Sequence, residues 1–121
     1  PIGSGELWSV RNNQKLTVEQ RTAAVPKAKA DKPVGEWNRM GVVMIGDRVS
    51  VVLNGLKVID KAQIPGISAT GPIGFQHHGG PLSEKQRTNL EKQGQTVAPG
   101  EMNAASSMIQ FRNVFVRQIG K

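Results

Sequence analysis

Two histidines stand side by side at the end of an apolar stretch, in Phe75-Gln76-His77-His78-Gly79-Gly80. Glutamine and histidine beside a pair of glycines place donors, acceptors and a group titrating near neutrality at a chain end that can bend. In a strand, neighbouring side chains point to opposite faces. His77 and His78 therefore cannot both ligate one metal ion unless the strand breaks at Gly79. One of them faces a ligand, bonds loop backbone, or holds a metal with partners from elsewhere. The second candidate cluster is Arg112-Asn113, inside an otherwise apolar terminal stretch. A guanidinium there can clamp developing negative charge or seal the fold by a salt bridge. Glu6 is the acid best placed to line a groove, and Trp8 could flank it. Trp37 opens a strong apolar stretch and is expected in the core, with Asn38 bonding the strand opening. No E-x-D or D-x-E pair is present, so paired-carboxylate glycosidase chemistry has little support.

The elements that must position these groups read as short strands. Fourteen glycines and seven prolines in 121 residues fit many turns. Leu7 to Val10 has strand character, and residues 14–21 alternate loosely around Leu16 and Val18. Pro26 and Pro33 mark a surface loop, since each would break a ladder. Trp37 to Ile45, Val49 to Leu53 and Leu56 to Ile59 form a meander. Its second turn, Asn54-Gly55, is a strong short hairpin signal, because both residues tolerate positive φ. Ile73 to Gln76 is another short strand. Residues 80–108 form a long polar insertion, with a brief helix over 82–93 capped by Ser83. Residues 107–119 close the chain as a strand, where the apolar parity changes at Arg112-Asn113 and predicts a β-bulge. One sheet with an apolar face needs a second layer to cover it.

Four segments occur in order: GEWN at 35–38, LNG at 53–55, GPIGFQHHG at 71–79 and FRNVFVRQI at 111–119. They resemble the C-terminal half of the 3-keto-disaccharide hydrolase family, with GSGELWS at 3–9 fitting more loosely. His78 matches the family histidine, whereas His77 stands where relatives often have a small or polar residue, and the insertion after Gly80 is longer than usual. The resemblance implies an all-β, concanavalin-like jelly-roll sandwich. It also implies that the opening strands, with an acidic segment lining the sugar site, come from a missing N-terminal part or a second polypeptide.

The resemblance further implies hydrolysis or elimination at the glycosidic bond of 3-keto-glycosides or disaccharides. A ketone at C3 acidifies the C2 proton, so one base and an electrostatic clamp suffice, with a divalent metal as an option. His78 as base, Arg112 as clamp and Glu6 as a groove acid fill the catalytic roles. Gln76, His77, Trp8 and Asn113 would contact the sugar. The alternative is a non-catalytic carbohydrate-binding or structural subunit of a larger assembly.

The net charge of +7 comes from scattered lysines and arginines without interleaved aromatics, and tyrosine is absent. Nucleic acid is therefore not the expected partner. The absence of cysteine excludes disulfides and thiolate chemistry. No apolar run reaches the length of a membrane span. A periplasmic or secreted location follows from the resemblance.

Overall fold

The computed structural model describes residues 2–76, 79–103 and 109–120. It divides into two compact units, Pro1–Gly71 and Pro72–Lys121.

In the first unit two short helices precede a three-stranded sheet. Helix α1 spans Trp8–Arg11 and α2 spans Val18–Ala23. Strands β1 (Met40–Ile45), β2 (Arg48–Leu53) and β3 (Leu56–Gln63) follow in the order β1-β2-β3, both pairs antiparallel. The expected all-β jelly-roll sandwich is thus corrected. The described chain combines helices with one small open sheet.

The local reasons are legible. The expected strand at Leu7 to Val10 is instead helical from Trp8, because Leu7 and Val10 are three apart, the spacing of one helical face. Val10 is buried on that face and Leu7 packs against the core. Residues 14–21 start a helix rather than a strand because Thr17 and Gln20 form a reciprocal cap. The Thr17 hydroxyl accepts from the Gln20 N–H, and the Gln20 side chain accepts from the Thr17 N–H.

The core is the face of β2 and β3 that carries Val49, Val51, Leu53, Val58, Ile59 and Ala62. Leu7 and Ala23, from the helical segment, pack against it. The Asn54-Gly55 turn forms as expected, with φ of 51° and 86°. A register irregularity lies between β2 and β3. There Lys61 takes φ 50° and its N–H donates to the Ser50 hydroxyl at 2.9 Å. Strand β1 opens at Met40, not at Trp37, and Trp37 is 40% exposed rather than in the core.

The second unit holds α3, Glu84–Lys92, with Ser83 as cap and Gln86 completing a capping box. Two backbone bonds close the loop that carries it: Leu82 N–H to Glu101 carbonyl at 3.0 Å, and Asn103 N–H to Gly80 carbonyl at 2.8 Å. Phe75 packs on Phe111 with ring centroids 4.7 Å apart. Residues 73–76 and 109–119 are not in ladders. Alternation marks a chain able to pair, but a strand exists only when another backbone meets its N–H and C=O groups.

Candidate functional site

An open groove of about 870 Å³ lies in the first unit. One wall is residues 2–6; the other is Lys29, residues 31–36 and Asn38. Glycine makes the first wall possible. A Cβ on Gly3 would sit 2.6 Å from the Asp31 carboxylate and 3.1 Å from the Lys29 Cα. The close approach lets the Ser4 N–H donate to both Asp31 carboxylate oxygens, at 3.2 and 3.1 Å.

The second wall is held by two asparagines from separate sequence motifs. Asn54 Nδ2 donates to the Ala30 carbonyl and to Asn38 Oδ1, both at 2.7 Å. Asn54 Oδ1 accepts from the Arg39 N–H, and Asn38 Oδ1 accepts from the Lys32 N–H, both at 2.9 Å. The bond ties the W-N segment at 37–38 to the L-N-G turn at 53–55. The hairpin turn reaches across and fixes the loop that carries the groove's lysines and acids. From sequence, Asn54 is only a turn former. The signal that points further is the amide itself, since Gly-Gly would turn as well but could not bond.

Hydrogen bonds from Ser4, its hydroxyl first and its backbone N–H second, hold the Asp31 carboxyl below its ordinary value of 3.8. A lowered carboxylate favours the arrangement that lowers it. The contribution is complete above the ordinary value and is lost as pH falls through the lower folded value. We therefore expect the Ser4 amide resonance to titrate below pH 4, and Asp31→Asn to abolish that titration while leaving the β2 and β3 amides unmoved. A Ser4 amide that titrates identically in Asp31→Asn would refute the coupling.

Of the expected site residues, Glu6 lines this groove. Its side chain is 16% exposed and ion-paired to Arg11, in the last turn of α1. The carboxylate is thus already matched to a counter-charge. Trp8 is 68% exposed but is not among the lining residues. Gln76, Arg112 and Asn113 belong to the second unit and are exposed. Asn113 takes φ 53°, so the chain does bend where a bulge was expected, but without a ladder around it. His77 and His78 lie outside the described residues. Among the described residues no group of three or more acidic or histidine side chains is placed to hold a metal ion, and no helix is long and apolar enough to cross a membrane.

A family model described as a 3-keto-alpha-glucoside-1,2-lyase-like domain matches residues 1–117. No curated protein and no solved structure gives a significant match. The match corrects the extent of the expected resemblance. It begins at the first residue rather than near Gly35, so the GSGELWS wall of the groove lies within the matched region. Of hydrolysis and elimination, the description names the second, a lyase. Matched over almost all of its length, the chain belongs to the 3-keto-alpha-glucoside-1,2-lyase-like domain family.

Proposed function

We propose that this chain is a non-catalytic carbohydrate-binding subunit of a larger, exported assembly, and that its groove takes a glucoside oxidised at C3. The observation that carries this reading is the composition of the groove. Lys29, Lys32 and Glu36 line it beside Ser4 and Asn38, with Ile2, Pro33 and Val34 supplying apolar surface. Sugars present closely spaced hydroxyls over apolar C–H patches, and such a mixture of donors, acceptors and carbon matches them. The firmly engaged groups are scaffolding: Glu6 pairs with Arg11, and Asn38 and Asn54 pair with each other. That division suits holding a ligand more than moving protons.

Titration of the chain with an alkyl α-glucoside and with its 3-keto counterpart tests the reading. We expect saturable shifts of the Ser4 and Lys32 amides, stronger for the keto sugar. Glu36→Gln combined with Lys32→Ala should weaken binding about tenfold, equivalent to ~1.4 kcal/mol. Binding that ignores both substitutions would remove the groove from consideration.

The family's own description favours a second reading, 1,2-elimination. In that reaction a base takes the C2 proton, the C1–O bond breaks and the leaving oxygen is protonated. A C1=C2 double bond conjugated to the C3 ketone is left. His78 would be the base and Arg112 the clamp on the enediolate. Growth of enone absorbance with the wild-type chain, lost in His78→Ala, would replace the binding reading with this one.

A further inference from the structure

We propose that Asn54 is a self-modification site: its side-chain amide is lost to the backbone nitrogen of Gly55 through a cyclic imide, at a rate set by the opening of the groove's second wall, and the acid left behind no longer closes that wall. The proposal is independent of what the groove binds.

The chemistry begins in the sequence. The chain has seven asparagines, and Asn54 alone is followed by glycine. The others precede Asn13, Gln14, Arg39, Leu90, Ala104 and Val114, whose side chains shield the backbone nitrogen that must act as nucleophile. Gly55 is exposed, and even a Cβ there would meet nothing within 4 Å. Base removes the Gly55 N–H proton. The nitrogen attacks Asn54 Cγ, an N–Cγ bond forms, the Cγ–Nδ2 bond breaks, and Nδ2 takes up a proton and leaves as ammonia. Water then opens the five-membered imide. Attack at Cγ gives aspartate, and attack at the backbone carbonyl gives isoaspartate, with the chain running through Cγ. The sum is amide plus water to carboxylic acid plus ammonia, with no oxidant or reductant.

The fold decides when this happens. Attack runs perpendicular to the amide plane, so Asn54 Cγ has to turn its face to the Gly55 nitrogen. Three bonds fix that plane elsewhere: Nδ2 donates to the Ala30 carbonyl and to Asn38 Oδ1, and Oδ1 accepts from the Arg39 N–H. The Asn54 N–H donates to the Arg39 carbonyl at 2.8 Å and holds the backbone as well. The closed wall protects the amide, and local opening exposes it.

The product cannot remake these contacts. Where Nδ2 donated twice, aspartate sets a charged oxygen against the Ala30 carbonyl and Asn38 Oδ1, two acceptors with no proton between them. Turning the Asn38 amide to donate instead would sacrifice the bond its oxygen accepts from the Lys32 N–H. Isoaspartate lengthens a two-residue turn across which Leu53 and Leu56 pair. Refolding undoes neither change, so each converted chain keeps a loosened wall.

Peptide mapping by mass spectrometry of the full chain, held at mildly alkaline pH, tests this by following each asparagine for a mass gain of one unit. We expect the gain at Asn54 ahead of the other six, with hydroxylamine cutting the chain at the imide. Unfolding in urea should speed it at least about tenfold, because the amide is then open all the time. Asn38→Ala leaves Asn54-Gly55 untouched and should speed it about fivefold in the folded chain, the change in open population that one net hydrogen bond makes. Gly55→Asn keeps a residue that tolerates positive φ and should remove the gain at position 54. Should Asn38→Ala fail to fold, the wild-type chain in urea below its unfolding transition decides alone. Exchange of the Arg39 N–H, the donor to Asn54 Oδ1, should then rise in proportion to the mass gain. Converted chains, separated by their added negative charge, should have lost Arg39 protection. Absence of a gain at Asn54 in the unfolded chain would remove the site. A gain as fast folded as unfolded, unchanged by Asn38→Ala, or rising without Arg39 exchange would show that the wall does not control it, and Arg39 protection intact in converted chains would show that the wall still closes. Each of these overturns the proposal.

Discussion

Replacing Gly5 with alanine is expected to destabilise the first unit by about 3 kcal/mol, seen as a fall of roughly 10 °C or more in Tm. Two costs add. Gly5 has φ 101°, a conformation that side chains rarely adopt, at a cost of about 1 kcal/mol. A Cβ there would also lie 3.0 Å from Val58 Cγ2 and 3.2 Å from Val51 Cγ1. Both valines are buried in the core and β-branched, so neither can swing aside. Forcing an extra methyl against them adds about 1–3 kcal/mol. Gly35→Ala separates the two costs. Gly35 has φ 96°, but a Cβ there would meet nothing within 4 Å, so only the backbone cost of about 1 kcal/mol should appear. Equal losses at the two glycines would show that packing on the valines is not what selects Gly5. Both glycines line the groove, so each substitution should weaken sugar binding, Gly5→Ala more because its Cβ also presses on the core valines.

Asn54→Ala is expected to cost about 2–4 kcal/mol and to loosen the second wall of the groove. The substitution removes two donated bonds and one accepted bond, to Ala30, Asn38 and Arg39. Each is worth about 1 kcal/mol net, more where a partner is left unsatisfied. It also places alanine at φ 51°, where asparagine is tolerated and alanine is strained. Asn54→Gly relieves the strain but restores no bond, so it should recover only part of the loss. Asn54→Asp keeps the acceptor for Arg39 and turns a second oxygen toward Ala30 and Asn38, so it should be no better than alanine. Denaturant unfolding measures the stability, and hydrogen exchange across residues 30–39 measures the loop. A double-mutant cycle with Asn38→Ala should show coupling of at least about 0.5 kcal/mol. Full additivity would mean that the two motifs share no bond in solution.

The short-range features were legible in the sequence because their causes are local. Asn54-Gly55 turns since both residues accept positive φ, and the apolar residues on either side of it pair across that turn. Ser83 caps α3 as expected, and the same four-residue pattern at Thr17 to Gln20 marks α2, though loose alternation there suggests a strand instead. At Leu7 to Val10 four residues are too few to separate a period of two from a spacing of three. At 109–119 the pattern describes the chain and not its surroundings, so a strand was expected where the described residues show no ladder.

Residue type and spacing within a few positions were enough for the hairpin, the capped helix α3, the absence of thiol chemistry and the order of motifs that mark the family. What the motif residues do was settled by the folded chain. Asn38 and Asn54 are sixteen positions apart, and their bond exists because the turn folds back onto the loop at 30–39. Ser4 and Asp31 are twenty-seven apart and meet because Gly3 lets two backbones approach. Spacing along a chain carries no information about such distances, because closing a loop of that length depends on what packs around it rather than on the residues at its ends.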